Sequence, residues 1–331
     1  MRLEQLASFE AVARTGHFTH AAEELRLAQP SLSRQIAALE ADLGTRLFHR
    51  GPTGAALTDA GAVLLPIARR MLGDASSARD QLGDLAGLRR GRVRLGAPPT
   101  LCVSLVADVL AAFRSAHPEV DLHVTEGGSR SLVAALEENS LDLALVVTRG
   151  AEPSLDGITL TALLSEELVV ISSAATPWPT RAIGSASDGQ PTQQATGAPT
   201  EITLAELAEL PQVAFSTSYD LRAAADAAFA AAGLTPRIAV EGAEMDAVLR
   251  FVERGLGVAL VPAMVVIDRP TLTSARLVQP AVSRTVNLAR RGDVEPSAAT
   301  AAMEQVLFAT VDRLTAQDTD LARLVSVQPG S

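Results

Sequence analysis

Hydrophobic and polar positions alternate most tellingly between residues 18 and 47. Leu32, Ile36, Leu39 and Leu43 recur at i, i+4, i+7 and i+11, one apolar stripe at the helical period. Pro30 suits the first position of such a helix, and Gly44 is a fitting end to it. Away from the stripe lie Pro30, Arg34, Ala37 and Ala38, flanked by Ser31, Ser33 and Gln35. A preceding short helix is expected to start at Thr19 as N-cap and to turn Ala21, Ala22 and Leu25 inward. Leu3, Leu6, Phe9 and Ala13 predict a supporting helix over 3–13, and Gly51, Pro52 and Gly54 mark the turn of a wing within 45–58. A short-armed polar helix face can approach the base edges of a DNA major groove, where Arg suits guanine and Gln suits adenine. The same pattern also fits a helical hairpin in an ordinary core.

Thr58 then caps a long helix. Along it Leu64, Ala68, Met71, Ala75, Ala78, Leu82 and Leu85 fall at steps of four and three, the spacing of a coiled-coil seam. Pro66, Gly73 and Gly83 weaken this helix in isolation, so the spacing predicts a dimerisation helix that gains stability from a partner. A single helix packed on its own domain is the alternative. From residue 92 the period changes to strand, helix, strand: strands at Val93–Ala97, Val120–Thr125 and Leu141–Val147, with helices through Leu105, Leu110 and Phe113 and over 129–138. That alternation predicts open, parallel α/β architecture, in which ligands settle beyond the carboxyl ends of the strands. Two candidate cradles meet this description, Pro98-Pro99-Thr100 and Gly127-Gly128-Ser129-Arg130, although both also suit ordinary helix caps. Arg130 could pair with a carboxylate. Further on, residues 163–172 and 211–216 read as strands, Thr203-x-x-Glu206 as a capping box, and 219–232 as a helix.

Charge changes the picture in one respect. The chain has 331 residues and a formal net charge of −10, and all 28 basic residues are Arg, which removes any lysine-dependent chemistry. Residues 1–58 hold six Arg (2, 14, 26, 34, 46, 50) against six acids (4, 10, 23, 24, 40, 42), so the first unit is neutral and the remainder carries the deficit. A neutral unit makes few phosphate contacts, and pairing copies on one site is the natural remedy. The single cysteine, Cys102, allows no internal disulfide and no Cys-based zinc site, and without a resolving partner it reads as an inert side chain. His17 and His20 lack the further ligands of a zinc shell, so no metal and no cofactor are expected. G-x-S-x-G, His-Glu-x-x-His, P-loop and G-x-G-x-x-G patterns are absent, which argues against an enzyme and leaves no catalytic residue to name. No secretory leader and no stretch apolar enough to span a bilayer are expected, which predicts a cytoplasmic protein without membrane contact.

Three runs carry a resemblance: 3–25 (LEQLASFEAVARTGHFTHAAEEL), 28–50 (AQPSLSRQIAALEADLGTRLFHR) and 57–72 (LTDAGAVLLPIARRML). Over 1–310 the chain resembles LysR-type transcriptional regulators. Stretches 117–145 and 231–262 continue the likeness, while His17, Thr53 and Ala56 depart from the serine and the basic residues frequent in that family. The resemblance implies a winged helix-turn-helix at 1–58, a linker and dimerisation helix with hinge at 59–90, and a two-lobed α/β effector domain like periplasmic binding proteins at 91–315. Lobe I would comprise 91–162 and 267–315, lobe II 163–266 with a flexible insert over 173–200, and 316–331 would be a disordered tail. It further implies that Thr19, His20, Gln29, Pro30, Ser31, Ser33, Arg34, Gln35 and Arg50 meet double-stranded DNA. Thr100, Ser129, Thr148, Ser216 and Thr217 would line the cleft with Arg130, holding a small-molecule effector expected to be an organic anion. Arg222 stands at a frequent Leu-Arg position of the family. The implied assembly is a homodimer through the linker helix and a homotetramer, with RNA polymerase as a further partner. A small-molecule-binding protein with weak or lost DNA binding is the alternative that the neutral first unit keeps open.

Overall fold

A computed structural model describes residues 1–51, 54–85, 91–148, 155, 157–176, 178, 201–217, 219–317 and 321–327. The first unit has a core of its own. Helices α1 (Leu3–Thr15), α2 (Phe18–Glu24) and α3 (Gln29–Leu43) bury Leu6, Phe9, Val12, Ala21, Ala22, Leu32, Ile36 and Leu39 against one another. The strands β1 (Phe48–Gly51) and β2 (Gly54–Leu57) form the wing, as an antiparallel pair. Gly44, at φ 69°, ends α3 in the left-handed conformation that glycine adopts at least cost. Two local expectations shift. Thr19 lies inside α2, whose N-cap is His17, because Phe18 must enter the helix to reach Phe48 at 5.9 Å. Leu43, in the last turn of α3, is exposed because the chain leaves the core there.

The long helix α4 (Asp59–Leu85) carries Pro66 within it and starts under Thr58, whose hydroxyl accepts from the Gly61 amide at 3.1 Å. It splits the predicted seam between two environments. Ala68 is fully buried and Leu64 packs beside it in the core of the first unit, whereas Val63, Ile67, Met71 and Leu82 are exposed. Leu64 and Ala68 turn inward because α1–α3 cover that side of α4, while Met71 and Leu82 of the same seam stay exposed beside Val63 and Ile67.

The remainder is organised around β6 (Ile158–Ser173). Residues 158–167 of β6 pair antiparallel with β12 (Ser283–Arg291), and residues 168–173 pair with β10 (Ala259–Pro262) and β11 (Leu272–Val278). One strand thus belongs to both lobes. Lobe I continues from β12 to β5 (Leu143–Thr148), β3 (Arg92–Ala97) and β4 (Asp121–Glu126), with β3, β4 and β5 parallel and β12 antiparallel, so the sheet is mixed where an all-parallel one was expected. Its helices are α5 (Pro99–Leu101), which runs through a π-helical turn (Cys102–Val106) into α6 (Ala107–Ala116), then α7 (Ser129–Glu137) and α11 (Ala298–Gln317). Lobe II adds β7 (Glu201–Thr203), α8 (Leu204–Glu209), the parallel pair β8 (Gln212–Phe215) and β9 (Ile238–Ala243), and helices α9 (Asp220–Ala231) and α10 (Met245–Glu253). The capping box forms: Thr203 Oγ1 accepts from the Glu206 amide at 3.2 Å, and Glu206 accepts from the Thr203 amide at 2.8 Å.

Strand pairing corrects the lobe limits. Because β11 pairs with the second half of β6, the chain stays in lobe II past 267 and returns to lobe I only with β12. The tail is corrected as well: α11 is followed by α12 (Leu321–Leu324) and β13 (Val325–Val327), which pairs with residues 164–166 of β6 and buries Val325. The run Pro99–Ala116 is long and apolar enough to cross a membrane by length and composition, contrary to expectation. Here Leu101, Leu105, Val106, Val109 and Phe113 face the lobe core instead. The wing tip (52 and 53), the hinge at 86–90 and most of the expected insert (177 and 179–200) lie outside the described residues. Trp178, within that insert, is buried and donates from Nε1 to Thr273 Oγ1 at 3.0 Å.

The first unit and lobe I meet along α4. Gly73 packs against Asn139, which follows α7 in a left-handed turn at φ 54°. Around this contact Arg69 pairs with Glu138 at 2.9 Å, and Arg70 Nε donates to the Glu137 carbonyl at 3.0 Å. Asp74 accepts from Asn139 Nδ2 and from Arg291, both at 2.8 Å.

Candidate functional sites

The first site is the outer face of α3. Burial of Leu32, Ile36 and Leu39 fixes the rotation of the helix, leaving Gln29, Pro30 and Arg34 exposed and Ser31 and Ser33 half-buried. Arg34 donates to Ser31 Oγ at 3.2 Å, which holds the guanidinium over the first turn. Gln35 behaves differently from its neighbours: the buried Ser8 hydroxyl of α1 donates to its Oε1, so its carbonyl oxygen is turned towards the core. Thr19 and His20 are exposed on α2, with His20 Nδ1 at 3.6 Å from Glu23. Arg50 lies on β1 with its guanidinium 4.6 Å from the centre of the Phe18 ring and its Nη2 3.9 Å from Glu40 Oε2 of α3. Sequence reasoning missed Glu40, whose Oε1 accepts from the Leu47 amide at 2.8 Å and ties the end of α3 to the wing. The wing also needs Gly54, at φ 128°, where a Cβ would stand 2.5 Å from the Gly16 carbonyl.

The second site is the cleft between lobes. It is a cavity of about 530 Å³ where helix beginnings from both lobes converge: Pro99 of α5 and Gly128 before α7 on one wall, Tyr219 before α9 and Glu244 before α10 on the other. Thr100 lies on its wall, with its hydroxyl accepting from Arg284 Nη1 at 3.0 Å. Ser129, Arg130 and Thr148 line an adjoining cavity of about 420 Å³ that shares Val147 and Asp220 with the first. Two of these hydroxyls serve structure: Ser129 Oγ accepts from the Val147 amide at 3.0 Å, and Thr148 Oγ1 accepts from Asn287 Nδ2 at 2.9 Å. Ser216 and Thr217 follow β8 and are not among the described residues lining either cavity. Arg222 is held by Asp226 and Glu241, each at 2.8 Å, and lines neither.

Residues that the linear reading passed over make up much of the cleft wall. Glu126, Asp220, Glu244 and Asp246 all line the cavity, while Arg284 is its single cation among the described residues. Arg284 is buried and already answered: its Nη2 and Nε reach Glu166 Oε1 at 2.8 and 3.0 Å, and Glu166 Oε2 accepts from the Met264 amide at 3.1 Å. Tyr219 donates its hydroxyl to Glu244. Burial, and then that carboxylate, push the phenol above its ordinary range. Burial also raises the Cys102 thiol, to about 11, with Glu126 adding to the effect. The only sequence signal for this wall was the set of acids at helix starts, Asp220 and Asp246 in first turns and Glu244 at an N-cap, where carboxylates are common for local reasons.

Comparison with known proteins settles the class. The family "LysR substrate binding domain" matches residues 86–311, and "Bacterial regulatory helix-turn-helix protein, lysR family" matches residues 3–62. The chain belongs to the LysR family of transcriptional regulators. Among LysR-type relatives, the uncharacterised HTH-type transcriptional regulator YybE of Bacillus subtilis (strain 168) is 30% identical over 289 residues, 87% of this chain and 92% of that one. The crystal structure of full-length CbnR complexed with its target DNA is 25% identical with a TM-score of 0.63, covering 95% of this chain and 99% of that one. Full-length OxyR from Pseudomonas aeruginosa, 22% identical with a TM-score of 0.67 and 94% of each chain covered, shares the fold. This LysR-type regulator therefore couples a helix-turn-helix reader to an effector-binding α/β domain of two lobes, and its relatives are regulators rather than enzymes.

Proposed function

We propose that the regulator reads operator DNA in the cytoplasm as a homodimer built on α4, that dimers associate into a tetramer, and that occupancy of the cleft alters this assembly on the promoter where RNA polymerase binds. The observation that carries the reading is the pair of faces left open by the reader unit. The polar start of α3 is exposed on one side, while the apolar residues Val63, Ile67, Met71 and Leu82 stand 68, 51, 37 and 66% exposed along α4. Such a stripe on a helix weakened by Pro66 and two glycines is stabilised by a second copy. Gln29, Pro30, Ser31, Ser33 and Arg34 meet the groove, Thr19, His20 and Arg50 its margins, and Gln35 positions α3 through Ser8.

Helix α7 gives the coupling a physical route. Ser129 and Arg130 of its first turn line the adjoining cavity, while Glu137 and the following Glu138 grip Arg70 and Arg69 of α4. A ligand that shifts the start of α7 biases the joint at its end, and only a difference in ligand affinity between the two arrangements does so.

Footprinting of purified protein on its own upstream region at two salt concentrations tests this. Paired half-sites spaced by whole helical turns are expected, weakened by Arg34→Ala by about 1–3 kcal/mol with relaxed sequence preference. Ile67→Glu is expected to lower half-site pairing and to yield monomers in sedimentation. Unchanged operator affinity in Arg34→Ala would mean that α3 is turned otherwise on the DNA, and an intact dimer in Ile67→Glu would remove α4 as the dimer axis.

A further inference from the structure

We propose that Arg284 anchors the effector on the cleft wall, and that the ligand group it takes is a carbonyl or carboxylate oxygen. This rests on the reading of the cavity as the effector site and adds to it the residue and the ligand group. A guanidinium carries five N–H donors and no acceptor. In Arg284 three of them are in use: Nε and Nη2 donate to Glu166 Oε1 at 3.0 and 2.8 Å, and Nη1 donates to Thr100 Oγ1 at 3.0 Å. The remaining two, one on Nη1 and one on Nη2, have no acceptor among the described residues, although the side chain is only 7% exposed. The Thr100 hydroxyl is in a similar position. It is buried and accepts from Arg284, and its own O–H has no acceptor among the described residues. Accepting from a cation polarises that hydroxyl and strengthens it as a donor.

Burying a donor without an acceptor is costly, so native interiors answer nearly all of theirs. Here the donors left over belong to two side chains that line the cavity of about 530 Å³, and an oxygen acceptor entering that space completes the set. Glu166 prepares the anchor. By holding the Nε and Nη2 edge it fixes the guanidinium plane, and by cancelling the charge it leaves a wall that takes a neutral carbonyl as well as a carboxylate. Its other oxygen accepts from the Met264 amide at 3.1 Å, in the turn Ala263–Val266 that follows β10 of lobe II. Arg284 lies opposite Glu166 in the β12–β6 register, just before β6 passes to lobe II. A ligand held by Arg284 thus reaches the backbone of lobe II through one carboxylate. A brace for the crossover alone would use the Glu166 edge and need no donors on the cavity side.

Three probes share one ring and differ in the acceptor: 4-fluorophenylacetate, 4-fluorophenylacetamide and 4-fluorotoluene, titrated into the full-length protein by fluorine NMR. At least one of the two carbonyl probes is expected to bind roughly tenfold or more tightly than 4-fluorotoluene. Binding by the amide alone assigns a neutral carbonyl, by the acid alone a carboxylate, and by both the oxygen they share. Arg284→Met/Glu166→Gln leaves no lone buried charge and keeps an acceptor for the Met264 amide, while Arg284→Lys keeps the ion pair and gives up the planar fork. In both, the carbonyl preference is expected to fall by roughly fivefold or more while 4-fluorotoluene still binds, a split that a merely structural role for Arg284 does not produce. A preference that persists in either variant overturns the proposal. So does a parent protein that binds the carbonyl probes no better than 4-fluorotoluene, or not at all. Val103→Trp, which fills the cavity, tests the place: probe binding lost there keeps the cleft reading whatever the preference shows, and binding that survives it lies elsewhere and overturns both.

Discussion

The joint between α4 and lobe I turns on one missing side chain. A Cβ on Gly73 would stand 2.3 Å from the Asn139 carbonyl oxygen, 2.6 Å from its Cβ and 2.8 Å from its Cγ, and Asn139 is buried and held in a left-handed turn, so neither side can yield cheaply. Relief requires the helix and the turn to part by about 1 Å, since carbon contacts are comfortable only near 3.5 Å. That separation stretches Arg69–Glu138, Arg70 to the Glu137 carbonyl, and both partners of Asp74. Overpacking and weakened polar contacts together shift docking by roughly 2–4 kcal/mol, or about thirtyfold or more. Gly83 provides the control, because it sits in the same helix with nothing within 4 Å of its would-be Cβ. Gly73→Ala and Gly83→Ala gain the same helical propensity, about 1 kcal/mol, and differ only in what the methyl meets. With spin labels on cysteines at the exposed positions Ala41 and Ala111 in a Cys102→Ser background, Gly73→Ala is expected to broaden and lengthen the distance distribution, and Gly83→Ala to leave it unchanged. If the two variants behave alike, α4 is not docked on Asn139 in solution.

Breaking the buried pair at the crossover should be costly: Glu166→Ala leaves the Arg284 charge without its counter-charge and the Met264 amide without its acceptor, an expected loss of about 3–5 kcal/mol in denaturant unfolding, largely recovered when Arg284→Met is added. A loss under 1 kcal/mol would mean that water reaches the site. Cys102, with its thiol raised to about 11, should alkylate slowly at pH 8 and keep accelerating beyond pH 9.5, where the rate of an ordinary thiol levels off; a plateau near pH 9 in the iodoacetamide rate would contradict its burial. Amides of Val325 and Val327 should exchange with solvent at protected rates, and Val325→Asp should lower Tm, because β13 pairs with β6. Exchange at free-peptide rates would return the tail to disorder.

Much of the reader was legible in the linear chain, because a helix brings residues four apart together wherever it sits, and the stripe Leu32, Ile36, Leu39 needs no distant partner to be recognised. The Thr203–Glu206 capping box and the strand and helix alternation after residue 92 were legible for the same local reason. Tertiary structure decided the rest. Leu64 and Ala68 satisfy a coiled-coil spacing as well as a core face, and only the arrival of α1–α3 on that side assigns them inward and leaves Val63 and Ile67 outside. No local pattern tells that β6 serves two lobes, or that β13 returns to its edge, since strand pairing joins residues more than a hundred positions apart. The charge of the cleft was hidden most completely. Asp220, Glu244 and Asp246 each look like routine first-turn acids, and Glu126 like a strand end; the chain path alone brings them to one cavity with a cation already paired to Glu166.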